Sequence, residues 1–210
     1  MTHAKLSLSV GLAVLSASLR LAGAAQPVPQ DEIFKLLRQS VTMPERGPVT
    51  VYVLETRRHR LSFWGPPDWV IKENPKSKEV VMMARDLVTC LTFKIVDDPP
   101  GGDARPRVEQ WRQAVLEAHP NAKILGEFDC FTSNAAGRAL DLERLTAVKS
   151  KQLSRLAFVP LPGGRVEFRL TAPSEKFRQQ RFAFGNLLTS FRAEPSRHEH
   201  LEKIASRPQP

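Results

Sequence analysis

No G-x-G-x-x-G fingerprint and no P-loop occurs in the 210 residues, and none of Ser133, Ser154, Ser174 or Ser190 stands in a nucleophile elbow. Nucleotide chemistry and serine hydrolysis are therefore not written into the chain in recognised form. Cysteine is scarce. Only Cys90 and Cys130 are present, they form no C-x-x-C pair, and no histidine stands near either at ligand spacing. That argues against a zinc or dithiol redox centre. Internal repeats are missing, as is any nucleic-acid-binding module. No cofactor motif is found. Past the N-terminus, no run is long and apolar enough to cross a bilayer, which takes about 20 residues.

What is present begins with the first 25 residues. Lys5 opens a short basic region, Leu6 to Leu15 is apolar, and Ala22-Gly23-Ala24 supplies small residues at cleavage spacing. This is the pattern of a secretory signal peptide, with cleavage after Ala24 or Ala25. The apolar run stops at Arg20, too early for a membrane anchor. Leu21-Ala22-Gly23 resembles the start of a lipobox, but Ala24 stands where the lipidated cysteine would be. The expected product is a soluble periplasmic or secreted protein of about 185 residues, enough for one domain with a full core. Losing Lys5 and Arg20 lowers the net charge from +9 to +7, a balance that permits contact with an anionic envelope component. In an oxidising compartment, Cys90 and Cys130 are expected to pair as a disulfide; the loop of about 40 residues would give roughly 4 kcal/mol by chain entropy.

Residues 26–54 read as a linker, a short helix over Asp31–Arg38 and a strand over Val49–Leu54. Strands are expected near 57–64, 79–85 and 87–96, the last with Leu91, Phe93 and Ile95 on one face. Val108, Trp111 and Val115 form the apolar stripe of a helix that starts near Pro106 and stops at His119-Pro120. Four more strands follow, over 123–132, 138–146, 154–160 and 165–171. In the last, Val166, Phe168 and Leu170 alternate with Arg165, Glu167 and Arg169, as in a half-buried antiparallel strand. Ser174 is placed to cap a final helix with Phe177, Phe184, Leu188 and Phe191 in one stripe. Gly185 inside it costs about 1 kcal/mol relative to alanine, and close helix–sheet contact is the expected reason. Residues 193–210 read as a mobile polar tail.

The fold class expected is α+β, an α/β/α sandwich with a mainly antiparallel sheet and the C-terminal helix packed on it. The element order over 55–192 resembles the Mog1/PsbP-like group of small extracytoplasmic domains. The resemblance is carried by Phe63 to Trp69, the Asn134–Gly137 turn with its following strand, the Gly163-Gly164 hairpin, and the helix ending Leu187-Leu188-Thr189-Ser190-Phe191-Arg192. It implies a non-catalytic adaptor or assembly factor with a protein partner, and no catalytic residue to carry over.

Three constellations remain. Glu127 and Asp129 share a face of one strand and Asp141 and Glu143 a face of the next; if Ile124, Phe128, Cys130, Leu140 and Leu142 all face one core, the four carboxylates gather on the other side. They would then hold a hard cation such as calcium, or be neutralised by Lys151, Arg155, Arg165 and Arg169. Arg57, Arg58 and Arg60, beside Phe63 and Trp64, would contact an anionic lipid or polysaccharide, or simply charge a solvated strand edge. His198-Glu199-His200 lacks a third metal ligand. Trp64, Trp69 and Trp111 read as core.

Overall fold

The computed structural model describes residues 33–45, 47–98, 108–146 and 149–196. The leader, the 26–30 linker, Pro106 and His198-Glu199-His200 lie outside the described residues. The chain forms β1 (Phe34–Met43), β2 (Gly47–Thr56), β3 (His59–Trp64), β4 (Val70–Asn74), β5 (Glu79–Met83) and β6 (Cys90–Asp97) before the helix α1 (Val108–Ala118). Next come β7 (Lys123–Phe131), β8 (Ala136–Leu145), β9 (Lys151–Leu161), β10 (Gly164–Pro173), the helix α2 (Ser174–Ser190) and β11 (Arg192–Pro195).

Alternation in β10 sets the architecture. Val166, Phe168, Leu170 and Ala172 are buried on one side, and Arg165, Glu167 and Arg169 point to the other. With both faces thus defined, β10 pairs antiparallel with β6 and β9 at the centre of a seven-stranded sheet of order β4-β5-β6-β10-β9-β8-β7. A second sheet has the order β1-β2-β3-β11. That sheet and α2 pack together on the inner face of the large one, and α1 packs on its outer face, giving the α+β sandwich expected.

Aromatic packing closes the inner core. Phe93 meets Phe63 edge-on at 5.1 Å, and Phe191 meets Phe168 edge-on at 4.9 Å. Full burial of each such ring contributes about 1.5–3 kcal/mol, and these four come from β3, β6, β10 and the end of α2. The 132–135 turn is tied to the same point: Ser133 donates from N and Oγ to the Phe191 carbonyl at 3.0 and 2.9 Å. Trp64 N donates to Ser190 Oγ at 3.0 Å, holding α2 to β3.

Two glycine positions behind the family resemblance have geometric causes. A Cβ on Gly137 would collide with the Phe158 carbonyl oxygen of β9. Gly163 turns the β9–β10 hairpin at φ +72°, a left-handed conformation that costs other residues about 1–2 kcal/mol.

Several expectations are corrected. Residues 34–38 are strand, not helix: Phe34 and Leu36 pack against the core while β1 pairs with β2 along its full length. The N-cap of α2 is Pro173, with no side-chain cap bond, and Ser174 is already helical. A Cβ on Gly185 would meet nothing within 4 Å, so close sheet contact does not explain that glycine. The tail begins later than 193, because Arg192–Pro195 adds to β3 and Ser196 is buried.

The Cys90–Cys130 disulfide is also overturned; both thiols are free. β6 and β7 are separated by β10, β9 and β8, and four strand spacings set them roughly 19 Å apart, against the 4.4–6.8 Å between Cα atoms that a disulfide needs. The residues also face opposite sides: Cys90 pairs with Thr171 on the outer face, whereas Cys130 packs in the inner core. Burial, with Asp129 adding to it, pushes the Cys130 thiol up to about 11. Burial, then Glu79, raises Cys90 as well.

Candidate binding groove

Helix α1 covers only part of the outer face. Its stripe seats Trp111 and Val115 on Leu140, Leu142, Leu156 and Phe158 of β8 and β9, with the Trp111 and Phe158 rings 5.6 Å apart. Next to β9 on that face, β10 presents Arg165, Glu167 and Arg169 and β6 presents Thr92 and Lys94, so the helix has no apolar seat over these two strands. Between helix and exposed strands runs a groove of about 610 Å³. Trp111, Ala114, Val115, Ala118 and His119 form one wall; Arg165, Glu167, Arg169, Thr92, Lys94 and Glu79 contribute the other side.

Most of the groove's charge is internally matched. Glu167 accepts from Arg165 Nε at 2.7 Å and lies 3.1 Å from Lys94 Nζ. Burial acts to raise the Glu167 carboxyl, but these two cations outweigh it and leave it below its ordinary value. Arg169 differs, making no ion pair or side-chain hydrogen bond among the described residues. At the same end, Arg144 of β8 donates to the neutral Gln152 at 2.6 Å. His119, between them, lies below its ordinary pKa, first because it is partly buried and then because Arg169 and Arg144 disfavour a third positive charge. No carboxylate or hydroxyl orients its ring among the described residues, so it lacks the partner that a general base uses. The sequence places His119 at a helix stop and Arg169 among compensating charges, and its local pattern marks neither as a site residue.

The four carboxylates do not gather. The β7–β8 register shifts between Ile124 and Gly126, a bulge at Leu125. Side-chain parity therefore reverses within β7: Ile124 joins the α1 cluster, whereas Phe128 and Cys130 face the inner core. Glu127 and Asp129 end on the outer face, and Asp141 and Glu143 on the inner one. Each meets a base: Glu127 with Arg112 at 2.5 Å, Asp129 with Arg138 at 2.6 Å, Glu143 with Lys151 at 3.4 Å. Asp141 takes Arg155 in a fork, Nε at 2.7 Å and Nη2 at 2.8 Å, with the guanidinium 4.3 Å from the Phe128 ring centre. Among the described residues no group of three or more His, Cys, Asp or Glu could hold a metal ion.

Arg57, Arg58 and Arg60 lie at the β2–β3 turn and the start of β3. Arg58 Nη1 is 3.8 Å from Asp97, and Arg60 Nε is 4.0 Å from Glu55, with Glu194 of β11 opposite Arg60 in register. The backbone carbonyls of Arg57 and Arg58 accept from Ser196 Oγ and N at 2.5 and 2.8 Å. Basic and acidic groups are thus mixed at this edge, beside a small cavity of about 100 Å³. Among the described residues no helix is long and apolar enough to cross a membrane.

No protein-family model matches the chain, and no curated protein is significantly similar to it. Solved structures are. Cyanobacterial PsbP (CyanoP) from Synechocystis sp. PCC 6803 is 15% identical, with a TM-score of 0.47, over 82% of this chain and all of its own. The Ran-binding protein Mog1p of Saccharomyces cerevisiae is 11% identical, with a TM-score of 0.46, over 75% of this chain and 96% of its own. LpqN of Mycobacterium tuberculosis, involved in cell envelope biogenesis, is 11% identical, with a TM-score of 0.42, over 76% and 92%.

Proposed function

We propose that this chain is an exported, non-catalytic binding module that engages a protein partner through the groove between α1 and the large sheet. The observation that carries this reading is the groove itself, a concavity of about 610 Å³ with an apolar helix wall and a charged sheet wall, the pairing of apolar contact area with polar surroundings found at protein interfaces. His119 without an orienting partner, and Glu167 already engaged by two cations, favour recognition over proton transfer. Export rests on the leader pattern of residues 1–25.

The test is affinity capture of the full-length gene product from its native source, comparing wild type with Thr92→Trp. Thr92 lines the groove on β6, so an indole there fills the space and leaves the inner core untouched. A partner retained by wild type and lost from a folded Thr92→Trp supports the reading; equal retention by both refutes it. Intact-mass measurement of the same material should give a chain beginning at Ala25 or Gln26, and an unprocessed N-terminus would refute export.

A further inference from the structure

The groove is not electrically uniform along its length. At the Glu167 end each cation has a carboxylate, Arg165 at 2.7 Å and Lys94 at 3.1 Å. At the C-terminal end of α1, Arg169 and Arg144 flank His119 with no carboxylate on either among the described residues. The last turn of α1 brings some negative dipole to this place. One carbonyl of that turn is already engaged, Leu116 O accepting from His119 N at 3.2 Å, and just past the helix His119 O accepts from Ala122 N at 2.9 Å. Beside the spare cations stand the apolar Ala118 and Val115, on the same wall as Trp111.

The geometry points to a partner segment that carries an acidic side chain next to apolar residues, with the carboxylate seated at Arg169 and the apolar neighbours against Trp111, Val115 and Ala118. The charge balance selects this occupant. A basic segment would meet Arg169 and Arg144 at one end of the groove, and at the other only Lys94 and Arg165 already matched by Glu167. A wholly apolar segment would cover Arg169 and leave its guanidinium without water or a counter-charge, which is costly. One carboxylate supplies the missing partner, and an Arg–carboxylate pair takes the fork geometry that adds specificity. The pKa of His119 is lowered first by partial burial and then by Arg169 and Arg144, which is consistent with two cations at this point.

This inference rests on the groove being the binding site, and its experiment fails separately. The probe is a positional-scanning library of acetylated, amidated hexapeptides offered to the full chain at low ionic strength. The expected result is enrichment of Asp or Glu at one position with apolar residues beside it. Replacing that acid by its amide should weaken binding about tenfold, the scale of a lost charged hydrogen bond. Arg169→Gln should abolish the acid preference, Arg169→Lys restore part of it, and Arg178→Gln, on the exposed side of α2, leave it intact. No binding, no acid preference, or a preference that survives Arg169→Gln overturns the inference. If the acid preference fails while Thr92→Trp still blocks partner capture, the groove stands as the site and only its specificity is wrongly assigned.

Discussion

Removing the Asp141 carboxylate separates two opposite views of the β7–β8 sheet. If four carboxylates shared one face, neutralising one would relieve repulsion and stabilise the protein. The structure instead sets Asp141 against Arg155 in a two-bond fork, with side-chain exposures of 14% and 15%. Asp141→Ala leaves the guanidinium nearly buried, with only the Phe128 ring at 4.3 Å for compensation. Stranding one member of a buried pair costs about 3 kcal/mol, and for a domain of this size that lowers Tm by roughly 9 °C. Arg155→Ala should cost a similar amount and also lose its stacking on Phe128. The double variant should fall short of the sum by about 2 kcal/mol, because both changes remove the same fork. Urea unfolding followed by tryptophan fluorescence, with m-values checked for constancy, measures each step. The exposed pair Asp129–Arg138, 64% and 36% exposed, is the internal control; Asp129→Ala should stay within about 0.5 kcal/mol. A neutral or stabilising Asp141→Ala, or a strictly additive cycle, would refute the assignment of Asp141 to Arg155.

Other consequences are independent of that pair. Gly185→Ala should stabilise α2 by about 1 kcal/mol, since the new methyl meets open space; a thermal melt showing a loss would mean that the helix packs more closely there. Gly137→Ala should destabilise by about 3 kcal/mol, the overpacking scale, because its Cβ meets a β9 carbonyl that can move only by breaking the β8–β9 ladder. Under non-reducing conditions the purified protein should show two titratable thiols after unfolding and slow labelling of Cys130 when native, as its raised pKa leaves little thiolate at neutral pH; a mass two hydrogens lighter that blocks labelling would restore the disulfide. At Asp86 burial acts to raise the carboxyl, but the bond from Lys176 Nζ at 2.9 Å and those from Thr89 and Val88 hold it well below the ordinary aspartate value of an unfolded chain. Its contribution is therefore complete above that unfolded value and fades as pH falls below it; Asp86→Asn should flatten acid unfolding in that window, and an unchanged acid profile would contradict the assignment.

The sequence made the regular strands legible and hid the exceptions. In β10 the alternation of Val166, Phe168 and Leu170 with Arg165, Glu167 and Arg169 gives both the burial pattern and the outward face. Around the start of β1, Ile33, Phe34, Leu36 and Leu37 fit either a helix or a strand period over so few residues, and what decides is ten residues of pairing between β1 and β2. A bulge adds one residue without a composition mark, so the extra residue at Leu125 moved Phe128 and Cys130 to the opposite face from Ile124. β11 is four residues held by a strand more than 120 positions away, Arg192 opposite Ser62, and local pattern cannot show that. The groove was hidden for a related reason: the Trp111 stripe and the β10 charges are each visible, but that α1 covers β8 and β9 while leaving β10 bare depends on strand order.

The groove as the site of partner contact is tested most directly by site-specific photo-crosslinking in the native source. A photoreactive residue replaces Thr92 on the groove's sheet wall in one variant and Glu175 on the exposed first turn of α2 in another. A discrete protein adduct from position 92, absent from position 175 and suppressed by excess unlabelled wild-type protein, is the predicted result. Adducts from position 175 alone, or of the same species and yield from both positions, would contradict it.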